Sequence, residues 1–228
     1  VVDWQTTRGA ILPGSERQWL YNLSAEYKRQ NAVMVHIGVE YGASLHCCKA
    51  GCPDARVVGV DLNINKCIEP DSFELIEGDS KDVADQFHDR IDFLFIDGSH
   101  ERADVDADMK GWLGKVRPGG VVAFHDYHNG EEFPWTAGVK QAVDAWHWAP
   151  TTWEEDDGAG SIRAFWRLPY LRRGQPFGSL GIGVPYYKAE YEFFRWWSWL
   201  LVGGLEPGDQ LLNSSRLRCE VPIPMAHN

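Results

Sequence analysis

The sequence has too few cysteines, too few basic residues and too short an apolar run for several broad classes of protein. Its five cysteines among 228 residues are an odd number, which does not suit a framework of paired disulfides. Three of them crowd together as Cys47, Cys48 and Cys52, a spacing that suits no paired zinc knuckle. We read them as reduced thiols of a cytoplasmic protein, with Cys48 and Cys52 on one face of a helix as packed core. Lys and Arg number 22 against 33 Asp and Glu, giving a net charge of -11. That balance argues against a nucleic acid or an anionic membrane as partner, since either needs a concentrated basic patch. The ligand expected is small, and neutral or cationic. The longest apolar stretch, FFRWWSWLLVGG, is broken by Arg195 and falls short of the roughly 20 residues that span a bilayer, so no membrane anchor is expected. The opening residues carry no signal-peptide pattern, and the start at Val1 reads as a cut from a longer chain.

Apolar residues, by contrast, make up 44% of the chain, enough for one main domain with a smaller appendage. Trp19, Leu20, Leu23 and Tyr27 repeat at helical spacing, with Ser15 placed to cap the helix start ahead of Glu16. Residues 32–39 form a short apolar run ending in glycine, followed by a small-residue turn and a helix through Cys52. Residues 55–62 predict a second strand ending in Asp61, and 73–80 a third ending in Asp79 and Ser80. A helix over about 83–87 leads into the fourth strand, IDFLFIDGSH. Val105, Met109, Trp112, Leu113 and Val116 form the apolar face of the next helix. RPGG at 117–120 is read as a turn into a fifth strand, VVAFHDYH. A further helix carries Val139, Ala142, Val143 and Trp146, and residues 161–168 read as a late strand.

Continuously apolar strands alternating with amphipathic helices predict an α/β fold: a doubly wound, mainly parallel Rossmann-like sheet covered on both faces. Ligands of such sheets sit beyond the carboxyl ends of the strands. Gly38, Glu40, Asp61, Asp79, Asp97, His100 and Asp126 all lie at or beyond such ends, and we read them as one lined crevice. The main domain is assigned to residues 1–170. Residues 171–228 are a C-terminal extension, either a homo-oligomerisation arm rich in Trp196, Trp197 and Trp199 or the start of a second domain.

HIGVEYGAS carries Gly38 and Gly42 with Ser44 beyond, but Glu40 stands where a dinucleotide-binding turn has its middle glycine. A carboxylate there repels a pyrophosphate, so a cationic ligand fits better than NAD. Taken in order, VHIGVEYGAS, the Asp61 strand end, EGDS, FIDGSH and RPGGVVAFHDYH resemble class I S-adenosylmethionine-dependent methyltransferases. More narrowly, they are similar to the small O-methyltransferases that act on antibiotic sugars and related hydroxyl compounds, over roughly residues 10–168. The resemblance implies that Gly38, Glu40, Gly42 and Ser44 surround the methionine part of the cofactor, joined by Asp97. It implies that Asp61 accepts hydrogen bonds from the ribose and that Asp79 and Ser80 hold the adenine edge. It further implies Asp97 and Asp126 as ligands of a divalent metal, magnesium or manganese, and His100 as the general base.

Two residues depart from the family pattern. His36 replaces an acidic residue, which weakens the expected contact with the cofactor's amino group. His125 stands where relatives often have an acidic metal ligand, and an imidazole ligand there shifts the preference from magnesium towards softer ions such as manganese or zinc. The chemistry asks for such groups, because a neutral alcohol is a poor nucleophile and needs a base, a metal or both. The partner expected is a small-molecule hydroxyl acceptor, a sugar or another metabolite. The competing readings are a non-catalytic methyltransferase-like binding module and a fragment of a larger carbohydrate-modifying protein, since LGIGVPYYKAEYEFFRWW and the segment after it faintly resemble the start of a nucleotide-sugar glycosyltransferase domain. Glu101, Asp104, Asp106 and Asp108 are assigned to a solvated helix face and His128 to a loop. Trp135, Trp146, Trp148 and Trp153 are either core or a wall of the acceptor pocket.

Overall fold

β4, Ile91–Ile96, is buried at every residue, as a strand must be when both faces of its sheet are covered. The computed structural model describes residues 12–27 and 31–168, all within the first of the two units into which the chain divides, Val1–Val184 and Pro185–Asn228. The expected extension over 171–228, with Cys219 and its tryptophans, lies outside the described residues. In chain order the other elements are α1 (Gly14–Glu26), β1 (Val33–Ile37), α2 (Ala43–Gly51), β2 (Arg56–Asp61), β3 (Glu74–Glu77), α3 (Ser80–Gln86), α4 (Arg102–Trp112), β5 (Val116–Phe124), α5 (Ala137–Ala145), β6 (Trp153–Asp156) and β7 (Arg163–Arg167).

The strands form one sheet in the order β3-β2-β1-β4-β5-β7-β6. β1 to β5 pair in parallel, whereas β7 runs antiparallel to β5 and β6 antiparallel to β7. The expectation of a mainly parallel, doubly wound sheet holds. The order reverses between β1 and β4, the switch point at which such sheets bind ligands.

Period-two alternation divides the core into two layers. Met34, Phe93, Phe95, Val121 and Ala123 pack with Leu20 and Leu23 of α1 and Leu45, Cys47 and Cys48 of α2. Val35, Ile37, Leu94, Ile96, Val122 and Phe124 pack with Val83 of α3, Met109 and Trp112 of α4 and Val139 and Val143 of α5. Cys47, Cys48, Cys52 and Cys67 are buried free thiols, as read from their spacing. Burial pushes the Cys47 thiol up to about 12, against a smaller opposing pull from Arg17. Trp148 stacks on Phe165 at 3.8 Å and Trp146 and Trp153 pack beside it, which makes all three core. No helix among the described residues is long and apolar enough to cross a membrane.

Four local expectations are corrected. Ser15 does not cap α1; Pro13 holds the cap position, and Ser15 lies within the first turn. The segment RPGG belongs to β5, which starts at Val116 opposite Ile91 and continues through a register shift. The Arg117 side chain there pairs with the fully buried Asp92. β6 was not foreseen, because WEED has none of the apolar pattern of a central strand and forms only at the sheet edge. Asp108 is not solvated but 3% exposed.

Candidate active site

The sheet ladder itself delivers the site residues. The amide of Asp97 continues the β4 pairing onto Ile37 O (2.8 Å), and that of His125 continues β5 onto Ile96 O (3.0 Å). Their side chains therefore emerge beside one another where two parallel strands stop. Gly38 turns β1 away at φ +87°; a Cβ there would lie 2.0 Å from the Asp97 carbonyl oxygen, so only glycine allows this approach. A cavity of about 1180 Å³ opens above these ends. Its lining includes Gly38, Glu40, Ser44, Asp61, Asp79, Ser80, Asp97, His100, His125 and Asp126, ten of the eleven site residues expected from sequence.

Gly42 is the exception. It adopts φ +81° at the cap of α2, and Cys67 Sγ fills the space where a side chain would be, so it shapes the loop from behind. His36 also stays out of the lining. Its Nδ1 pairs with Ser44 Oγ at 3.0 Å, its ring packs edge-on against Phe93, and burial drives its pKa down to about 3. It is a neutral core residue that braces Ser44 at the start of α2 from below, out of reach of the cavity.

Asp61 is more engaged than a free ribose acceptor. One carboxylate oxygen accepts from the amides of Val39 (2.7 Å) and Glu40 (3.2 Å), the other from Asn63 (2.9 Å). These bonds pin the β1 loop to the end of β2, and each oxygen keeps further acceptor capacity. Asp79 caps α3 by accepting from Lys81 N at 3.0 Å. Ser80 donates to the buried Asp108, which sits on α4 at the same end of the cavity. Burial raises the Asp108 carboxyl to about 6, against the Ser80 hydrogen bond and Lys81, which lower it.

At the opposite end, Asp97, His100 and Asp126 each bring one ligand atom to within 4.8 Å of the others. His100 Nε2 lies 2.8 Å from Asp126 Oδ2, and Asn129 Nδ2 donates to Asp126 Oδ1 at 2.5 Å. Burial alone would raise the Asp126 pKa, but the hydrogen bonds from His100, His125 and Asn129 win and hold it well below the carboxylate range. Asp126 itself sits at φ +58°, a left-handed conformation uncommon outside glycine.

His125 sits among three carboxylates. Its Nε2 lies 2.9 Å from Glu16 Oε2, and its Nδ1 makes ion-pair contacts to Asp97 Oδ1 at 3.0 Å and Asp126 Oδ2 at 3.2 Å. Burial disfavours the imidazolium, but Asp97, Asp126 and Glu16 outweigh it and push the pKa up to about 12. The ligand atoms that converge closely enough to hold a cation are those of Asp97, His100 and Asp126, two carboxylates and one imidazole.

Sequence reading missed Glu16. This α1 carboxylate is 1% exposed and lines the cavity. Beyond His125 it accepts from Ser161 N (2.7 Å) and Oγ (2.8 Å), and Ser161 Oγ accepts from the Asp126 amide at 3.2 Å. The only local signal was a glutamate on the apolar side of the first helix, next to Leu20 and Leu23 one and two turns on.

Residues 35–127 match the family described as methyltransferase domain. No curated protein matches the chain significantly. Among solved structures, the chain is similar to the MycE methyltransferase of the mycinamycin biosynthetic pathway, in complex with Mg, SAH and mycinamycin VI (18% identity, TM-score 0.52, 67% of this chain and 49% of MycE). It is also similar to an O-methyltransferase from Bacillus cereus in complex with SAH (18%, 0.51, 70% and 84%). A third is the O-methyltransferase TomG from Streptomyces achromogenes, involved in tomaymycin synthesis, in complex with SAM (17%, 0.51, 67% and 79%). The chain spans about half the length of MycE. At these identities the likeness establishes the fold, and the methyltransferase-domain match spans residues 35–127, less than half of the chain.

Proposed function

We propose that the protein is an S-adenosylmethionine-dependent O-methyltransferase that moves a methyl group to a hydroxyl of a sugar or another small metabolite, with His100 as base. The observation that carries this reading is the convergence of Asp97, His100 and Asp126 on one carboxylate-rich cavity at the switch point of a methyltransferase sheet. Lys81 is the only lysine or arginine among its described lining residues, and it pairs with Asp104 at 2.9 Å. Such a lining favours a sulfonium with an ammonium group over a dinucleotide.

In this reading the loop of Gly38, Glu40 and Ser44 holds the methionine part, Asp61 the ribose, and Asp79 with Ser80 the adenine edge. Bound S-adenosylmethionine supplies an electrophilic methyl on a sulfur that leaves as a neutral thioether. Asp126 accepts from His100 Nε2–H, which orients the imidazole and leaves Nδ1 with the lone pair. As the acceptor oxygen bonds the methyl carbon, the carbon–sulfur electron pair stays on sulfur and the hydroxyl proton passes to His100. Asp97 and Asp126 would hold a divalent cation whose charge would lower the pKa of the acceptor hydroxyl, leaving the His100 lone pair to take the proton.

Calorimetric titration of S-adenosylmethionine and of NAD tests the cofactor assignment. S-adenosylmethionine alone is expected to bind, at least tenfold more weakly in Asp61→Ala; binding of NAD alone overturns the assignment. A chelator is expected to lower turnover without loosening the cofactor. The contacts of His125 with both Asp97 and Asp126 favour one second reading, a binding module without catalysis, which predicts saturable cofactor binding and no turnover on any hydroxyl acceptor.

A further inference from the structure

Leu62, Phe133 and Trp135 are the large apolar side chains that the described residues leave exposed, at 73%, 40% and 62%. All three line the same cavity, Leu62 beside Asp61 and the two aromatics beyond His100. Exposed apolar surface gathered at the mouth of a concave site marks ligand contact rather than scatter. The two rings belong to a short loop after β5, and that loop is built on the site. Asn129 ties it to Asp126, Phe133 N donates to Asn129 O at 2.7 Å, and Thr136 closes it with two bonds of 2.9 Å to Phe133 O. The Trp135 ring stands edge-on to His100 at 4.7 Å, with Phe133 6.1 Å away. Glu132, on the same loop and in the same lining, has a carboxylate with no hydrogen bond or ion pair among the described residues. No described lysine or arginine lines this end of the cavity.

We infer that the loop over residues 129–136 selects a cationic acceptor: a hydroxyl compound with a flat apolar face that lies on Trp135 and an ammonium group that pairs with Glu132. This rests on the methyltransferase reading and names its substrate class. A flat face and a cation are what an exposed indole binds, through stacking and through attraction of the cation to the ring quadrupole. The unpaired Glu132 supplies the charge partner, and with no described lysine or arginine at this end its carboxylate disfavours phosphorylated or carboxylated acceptors. Two kinds of compound share this chemistry, amino sugars and phenolic amines, and both orient a hydroxyl towards His100 when the flat face covers Trp135.

The test is a matched acceptor panel at saturating S-adenosylmethionine, read as kcat/KM for S-adenosylhomocysteine release. One arm uses glucosamine, methyl glucoside and glucose 6-phosphate; the other uses dopamine, catechol and 3,4-dihydroxybenzoate. The cationic member of one arm is expected to exceed its neutral counterpart about tenfold, with the anionic member the poorest, and the arm that responds identifies the source. Glu132→Gln is expected to bring the cationic and neutral acceptors within about twofold of each other. Trp135→Ala is expected to raise KM for both while the dissociation constant of S-adenosylmethionine stays the same. Preference for the neutral or anionic member, no methylation of either cation by cofactor-saturated enzyme, or a ratio unchanged in Glu132→Gln overturns the inference. Failure to bind S-adenosylmethionine overturns instead the reading on which it rests.

Discussion

Glu16 shows what one buried carboxylate does when both of its oxygens are engaged. It joins α1, the end of β5 and the turn before β7 through His125 and Ser161. Glu16→Gln keeps the shape and removes the charge, which leaves the His125 imidazolium with a donor facing its Nε2. Removing one partner of a buried ion pair costs about 3–5 kcal/mol. We expect a loss of about 3 kcal/mol in chemical denaturation and a kcat at least tenfold lower, with cofactor affinity retained because Glu16 stands at the acceptor end. Asp108 makes the opposite case. Its folded pKa of about 6 lies above the ordinary aspartate value of 3.8. The protonated carboxyl therefore stabilises the fold fully below about pH 4, and that contribution is lost as pH rises through 6. Asp108→Asn, which still accepts from Ser80, is expected to be more stable than the parent by about 2–3 kcal/mol at pH 7.5 and no more stable at pH 4, as thermal melts at the two values would show. Neither environment was read from the sequence: Glu16 stood only as the residue after an expected helix cap, and Asp108 in its acidic run reads as solvated until the sheet is assembled beneath it.

Among the elements, the loop from β1 into α2 carries the tightest constraint. At Gly38 the backbone is left-handed and the β4 end lies in the place of a side chain. Gly38→Ala has to displace the Asp97 carbonyl, so we expect destabilisation of about 2 kcal/mol or more and at least a tenfold weaker S-adenosylmethionine, read by calorimetry. If binding and stability both survive, the placement of Asp97 against Gly38 is wrong. The central strands were plain in the sequence because burial on two faces demands unbroken apolar runs, as in Phe93–Leu94–Phe95–Ile96. The edge was not. WEED forms β6 by pairing with β7, with Trp166 Nε1 donating to Asp156 at 3.0 Å, and RPGG extends β5 where Arg117 pairs with the buried Asp92. Such strands exist through their neighbours, and local pattern carries little of them.

For the whole molecule, the order of motifs along the chain fixed which residues could meet, since parallel strands deliver their carboxyl ends to one side of the sheet. Asp61, Asp79, Asp97, His100 and Asp126 were all legible for that reason, and all reach the cavity. Their division of labour was not. His125 is tied to Glu16, 109 positions earlier, and His36 is turned to the face of β1 where it meets Ser44 and Phe93. The four tryptophans likewise divide only in three dimensions, Trp146, Trp148 and Trp153 into the core and Trp135 into the cavity mouth. By itself, then, the sequence determined the sheet, its parallel core and the roster of strand-end residues, because hydrophobic periodicity and glycine placement are local properties. Only the tertiary structure decided which roster members face the ligand, which are locked to buried partners and which aromatics remain exposed, because each of those depends on contacts between residues far apart in the chain.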